Sequence, residues 1–251
     1  MSLLRPGLHV LRRDDRHLQV GLDPPWRLVV PDEPDVRRVL AALEAGETPT
    51  PRSPAGHAAL RDLREAGMLR EPESAPAGRV HVTGPDGPAA EARRLLTAAG
   101  ASLATRPRSA DIALVLTGGE PPREALDDHL RSGLPHLVVA AGAGGYRVGP
   151  FVVPGSTACL RCVDAHLGEV DPRRAVVVEQ LSGRPAAPDD PILASVATAW
   201  AVRDVLRYLA GGLPTCWSAT IDLGPAPGVA RRAWARHPYC GCSWWPETAA
   251  G

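Results

Sequence analysis

Arg79-Val-His-Val-Thr83, Asp111-Ile-Ala-Leu-Val-Leu116 and His136-Leu-Val-Val-Ala140 are three short apolar runs, and between them lie two helical patterns, Ala89 to Ala99 and Pro122 to Ser132. Strands that alternate with helices in this way form a βαβαβ series. The series predicts a parallel sheet, because a parallel neighbour is reached only by a crossover that returns the chain to the same end. Toward the C-terminus come a further β run, Arg147 to Val153, and Asp189-Asp-Pro191, which opens a long amphipathic helix. Its apolar stripe is Ile192, Leu193, Val196, Val202, Val205, Leu206 and Leu209. Asp190 as N-cap, Pro191 in the first turn and Gly211-Gly212 at the end bound that helix. A last β region, Trp217 to Leu223 and Val229 to Ala235, leads to Cys240.

Toward the N-terminus, Glu71 to Gly78 is a polar, proline-containing linker. Before it, Leu8-His-Val-Leu11, His17-Leu-Gln-Val-Gly-Leu22 and Trp26-Arg-Leu-Val-Val30 read as a small antiparallel meander. A helix follows from Glu33 to Ala45, with Val36, Val39, Leu40 and Leu43 at helical spacing and Gly46 as its stop. After the proline-rich connector Thr48 to Pro54, a second helix runs from Ala55 to Ala66, with Leu60 and Leu63 facing in. Residues 1–75 therefore read as a winged helix-turn-helix and residues 79–251 as an α/β domain, a chain of α+β and α/β class without internal repeats.

The 251 residues carry 28 basic and 28 acidic side chains, and every basic one is arginine. Without lysine there is no Schiff base and no phosphate-loop lysine. Zero net charge lacks the electrostatic footprint of a nucleic-acid binder, and residues 1–75 alone hold 11 arginines against 12 acids. No apolar run approaches the ~18 residues of a membrane helix, and the first fifteen residues are charged where a signal peptide is apolar, so the expected location is cytoplasmic with no membrane partner. The 25 glycines and 27 prolines predict many turn-rich loops.

Five cysteines in a cytoplasmic chain point to metal ligands or core residues rather than disulfides. Cys159-Leu-Arg-Cys162 and Cys240-Gly-Cys242 are two pairs whose spacing lets each turn both thiolates toward one point. Together they supply a closed, tetrahedral, four-thiolate zinc site with Zn–S distances of roughly 2.3 Å, structural because no position is vacant. The alternative is a set of buried, reduced thiols. His166 and His237 lie near these pairs, but four cysteines already saturate the metal, so neither is expected as a ligand. Cys216, between apolar neighbours, reads as a core thiol.

A nucleotide-binding version of such a domain needs a glycine-rich turn after its first strand. Here that turn is Gly84-Pro-Asp-Gly87-Pro88, in which two prolines remove amide donors and Asp86 places a negative charge where an anion would sit. No phosphate binding, and hence no ATP, is expected there. Gly142-Ala-Gly144-Gly145 follows a later strand and reads as a plain loop.

In this order of parts, Gly149-Pro-Phe-Val-Val-Pro-Gly-Ser-Thr-Ala-Cys-Leu-Arg-Cys162 and His237-Pro-Tyr-Cys-Gly-Cys-Ser-Trp244 resemble the ThiF-like (ocin-ThiF-like) cyclodehydratase partner proteins of azole- and azoline-forming RiPP pathways. The resemblance implies a ThiF/MoeB-like α/β domain that keeps its zinc cysteines, Cys159, Cys162, Cys240 and Cys242, without the ATP chemistry of its adenylating relatives. It also implies an N-terminal RiPP recognition element that binds the leader of a ribosomal precursor peptide. A separate YcaO-type cyclodehydratase would then form the thiazole, oxazole or thiopeptide heterocycles, and this chain would be non-catalytic.

In the recognition elements it resembles, the leader adds as a strand beside the meander and lies against the last helix. That maps to Trp26, Arg27, Leu28, Val29 and Val30 and to Leu60, Leu63 and Arg64, with Arg61 nearby; Leu28, Val30, Leu60 and Leu63 serve equally as core residues. The contrasting expectation is an ATP-dependent ThiF-like enzyme that adenylates a peptide or carrier-protein carboxylate. A homodimer through the stripe of Pro191 to Leu209 is a further expectation, against which stands simple cover for the sheet.

Overall fold

Alternation of apolar residues along Val10–Arg12 (β2), His17–Val20 (β3) and Leu28–Pro31 (β4) turns one face of an antiparallel meander inward, with Val10, Val20 and Leu28 in one cross-strand row and Leu18 and Val30 in the next. This sheet belongs to the first of two compact units, Met1–Glu73 and Ser74–Gly251. The computed structural model describes residues 3–70, 76–186, 190–225 and 228–243. Most of the expected linker, residues 71–75, together with Asp189 and Trp244, the last residue of the second cysteine motif, lie outside them.

Helices Pro34–Ala45 (α1) and Pro54–Glu65 (α2) cover the inner face, burying Val36, Val39, Leu40 and Leu43 from one and Gly56, Ala59 and Leu63 from the other. Gly46 closes α1 in the left-handed conformation at φ 76°, and the Ser53 hydroxyl caps α2 by accepting the Gly56 amide at 3.1 Å. Two short strands, Leu3–Leu4 (β1) and Leu69–Arg70 (β5), pair antiparallel at the ends of the unit. The connection from Gly46 to Ser53 is longer than the ~3–4-residue turn of a helix-turn-helix.

The second unit is built on a mixed seven-stranded sheet. Its elements are Arg79–Thr83 (β6), Asp86–Ala98 (α3), Ser102–Leu103 (β7), Ile112–Thr117 (β8), Glu124–Arg131 (α4), His136–Gly142 (β9), Gly145–Val152 (β10), Leu160–Gly168 (α5), Arg174–Leu181 (α6), Pro191–Leu209 (α7), Ala219–Leu223 (β11) and Val229–Ala233 (β12). The strand order is β12-β11-β10-β9-β8-β6-β7. β7, β6, β8 and β9 are parallel as the βαβαβ series predicts, whereas β10, β11 and β12 run antiparallel to their neighbours. The reversal follows from Ala143 and Gly144, a tight turn with Gly144 at φ 79°, which sends β10 straight back along β9.

Helix α7 has the predicted bounds, and the Asp190 carboxylate accepts the amides of Ile192 at 2.9 Å and Leu193 at 3.1 Å. Its buried stripe corrects the sequence reading. Ala194, Ala197, Ala201, Val202 and Val205 face the core, while Ile192 is 72% exposed and Val196 is exposed too. Small side chains let the helix approach the strands closely, and of the larger residues Leu193, Leu206 and Leu209 pack partly buried against the same core while Ile192 and Val196 are turned outward. At its C-terminal half, buried Asp204 accepts the amides of Thr215 and Cys216, both at 2.8 Å, fixing the loop that carries the buried Cys216 thiol. Among the described residues no helix is long and apolar enough to cross a membrane.

Candidate functional site

β10 ends in a loop that delivers Cys159 to the N-cap of α5, so Cys162 falls in that helix's first turn; beyond β12, Cys240 immediately precedes a short 3₁₀ turn, Gly241–Ser243, that carries Cys242. All four thiols are buried, packed with Val152, Ala158, Val163 and Trp234. The sulfurs of Cys159 and Cys162 are 3.8 Å apart, those of Cys159 and Cys240 3.6 Å, and those of Cys162 and Cys242 3.3 Å. A tetrahedral ion with bonds of roughly 2.3 Å to sulfur requires sulfur separations of about 3.8 Å, so the set fits a four-thiolate metal. The hydrogen bond from Cys159 holds the Cys162 thiol low, while the same contact pushes Cys159 up. A cation at the centre would take the place of the protons that these contacts share.

The helix that bears the first pair is anchored by Arg123, which is buried and donates to both carboxylate oxygens of Asp164, at 2.6 and 3.1 Å, and to Glu120 at 2.6 Å. The side chains of His166 and His237 group with Glu169, and the backbone amide of His237 donates a hydrogen bond to the Cys162 sulfur. No sequence signal marked Arg123 or Glu169, because their partners Asp164 and His237 lie 41 and 68 residues away along the chain.

At the other functional end of such a sheet, the ligand crevice lies beyond the carboxyl ends of the strands where strand order reverses, here between β6 and β8. The turn after β6 is shorter than the sequence suggests. Pro85 is the N-cap of α3, and Asp86, Gly87 and Pro88 form the first helical turn, three residues before Ala89. The Asp86 carboxylate thus sits at the helix end where phosphates bind in related architectures. After β8, Gly118, Gly119 and Glu120 are met by residues 183–186. Ala186 donates to the Gly118 carbonyl at 2.7 Å, Gly183 donates to the Glu120 carbonyl at 3.1 Å, and Gly119 bridges Pro185. The crevice is strapped by the chain itself.

In the first unit, β4 is an outer strand of its sheet. Alternate residues pair with β3, as shown by the Asp32 amide on the Arg16 carbonyl at 2.8 Å, so Arg27 and Val29 turn their backbone groups to the open side and Pro31 has no amide to offer. Trp26 (47%) and Val29 (41%) are exposed, as are Arg27 and Arg64. Leu28 and Leu60 are half-buried, and Val30 and Leu63 belong to the core of the unit. The Arg5 guanidinium lies 5.6 Å from the centre of the Trp26 ring.

No protein-family profile and no curated protein matches the chain. Solved structures do. The heterocyclase TruD superposes with a TM-score of 0.72 at 19% identity over 96% of this chain and 42% of its own. A heterocyclase in complex with substrate and cofactor gives 0.67 at 17% over 97% and 39%. The microcin C7 biosynthetic enzyme MccB, solved with N-formylated MccA, gives 0.63 at 13% over 96% and 99%, and the E. coli MccB structure with ATP also gives 0.63. The chain thus shares a fold with these proteins and spans about two fifths of the length of the two heterocyclases.

Proposed function

We propose that the chain is a non-catalytic partner in RiPP biosynthesis, which captures the leader of a ribosomal precursor peptide and presents it to a separate YcaO-type cyclodehydratase. The observation that carries the proposal is the open edge of β4, where outward amides at Arg27 and Val29 lie between exposed Trp26 and the half-buried Leu28 and Leu60. An extended peptide gains sequence-tolerant main-chain hydrogen bonds at such an edge and is selected by the side chains around it. Pro31 limits the pairing to a few residues, so the side chains carry much of the affinity.

Support for the non-catalytic half of this reading comes from residues 183–186, which hydrogen-bond along the loop after β8, and from Asp86 in the first turn of α3. Cys159, Cys162, Cys240 and Cys242 would hold a structural zinc ion that fastens α5 to the segment after β12. The fold shared with MccB, solved with ATP, favours one rival, an adenylating enzyme acting on a peptide carboxylate.

Fluorescence anisotropy of the labelled leader of the precursor encoded beside this gene, with the full chain and no ATP, separates the two. Saturable binding that survives omission of the core peptide is expected. No binding without ATP, together with peptide-dependent ATP–pyrophosphate exchange, would overturn the proposal in favour of the enzyme.

A further inference from the structure

His166 and Glu169 lie three residues apart at the end of α5 and so share a face of that helix, and His237 approaches them from the segment after β12. One ligand atom from each lies within 4.8 Å of the other two. The His166 Nε2 donates to the Ala235 carbonyl at 3.0 Å, which orients the ring and leaves Nδ1 as its free donor atom. His237 is only 5% exposed, and its Nε2 faces the Glu169 carboxylate at 3.1 Å. The two imidazoles meet edge to face with centroids 4.8 Å apart, walled by Trp234 beside His166 and Tyr239 beside His237. A surface ion pair would need only Glu169 and His237. The oriented ring of His166 is what turns the pair into a three-point set.

We propose that His166, Glu169 and His237 bind a divalent transition-metal ion at a second site, beside the cysteine cluster but with donor atoms distinct from its four sulfurs. Two imidazole nitrogens and one carboxylate oxygen suit zinc, cobalt or nickel rather than calcium or magnesium. The ion takes the place of the proton on His237 Nε2 that faces Glu169. That proton moves by way of solvent to Nδ1 of the same ring, which then gives up the 3.3 Å contact from the Tyr239 amide, so no net proton is released. That loss makes the ion exchangeable. Three protein ligands leave a coordination position, and the exposed Glu169 side opens it to water or to a carboxylate or imidazole of an incoming chain.

Zinc ions titrated calorimetrically into the full chain as purified test this. The expected result is one further equivalent in the native chain and none in His166→Ala or His237→Gln, with tightly bound metal and melting temperature unchanged in both. Absence of that step in the native chain, or its persistence in both variants, would overturn the proposal. The cysteine reading fails differently: the purified chain would then hold no tight metal, and the step that depends on His166 would survive in Cys159→Ser. A step lost in Cys159→Ser but kept in His166→Ala belongs to the cysteines and overturns the second site.

Discussion

Ala186 donates its amide to the carbonyl of Gly118 at 2.7 Å, and this bond draws the segment between α6 and α7 across the loop that follows β8. A Cβ on Gly119 would lie 1.9 Å from the Arg184 carbonyl oxygen, whereas one on Gly118 would meet only Pro85 at 3.9 Å. Gly119→Val should therefore dislodge the strap and cost about 1–3 kcal/mol in urea unfolding of the second unit, with Gly118→Ala close to neutral. Leader binding, which we propose for the first unit, should be the same in both. Equal urea midpoints for the two variants would mean that the strap contributes nothing.

At the β4 edge the amide of Val29 points away from β3, so proline is tolerated there by the sheet but not by an added strand. Val29→Pro should lower leader affinity about tenfold, the loss of one hydrogen bond, and leave the thermal melt nearly unchanged. Unaltered anisotropy titrations would place the peptide elsewhere.

Cys159→Ser removes one of four sulfurs and leaves three thiols facing a site that no longer closes. The variant should lose its bound metal by mass spectrometry, and unfolding of the second unit should become easier by several kcal/mol. Full metal content with native stability would disprove the four-cysteine centre.

His136 lies inside β9 against the Leu134 carbonyl at 3.1 Å, and burial pushes its pKa down from 6.5 to about 4. The unfolded chain takes up a proton below pH 6.5 that the folded chain refuses until about 4, so stability falls as pH drops through this window. The loss should reach about 3 kcal/mol, and His136→Gln should flatten that part of the pH profile. His129, whose ring centroid is 5.3 Å away, is also shifted down by burial and leaves a smaller residual slope.

The sequence carries the limits of α7 because its cap and its stop are local chemistry, Asp190 at one end and Gly211 at the other. It also carries β6, β8 and β9 as parallel strands. It does not carry the direction of β10 to β12, since an apolar run is the same read either way, and only the two-residue turn at Ala143 and Gly144 fixes the reversal. Helix α6 shows no amphipathic period, with Val176, Val177 and Val178 in succession, and so leaves no trace in the pattern. Spacing reveals the four cysteines. By contrast, the strap over Gly119 and the gathering of Glu169 with His237 are tertiary pairings without local signatures. At the β4 edge, alternation says that some of Leu28, Val29 and Val30 face inward, but only the packed helices decide that Val30 and Leu63 are core.

Cys159 and Cys240 are 81 residues apart, and that interval matters to a chain still on the ribosome. At synthesis rates of ~5–20 residues per second, the first thiol pair emerges on the order of ten seconds before the second. During that interval Cys159 and Cys162 are a bare dithiol, open to oxidation or to capture of a stray ion. A metal held by all four thiols would therefore act as a late clasp, closed only after Cys240 and Cys242 have emerged, and a chain that stalls before Cys240 would lack that fastening.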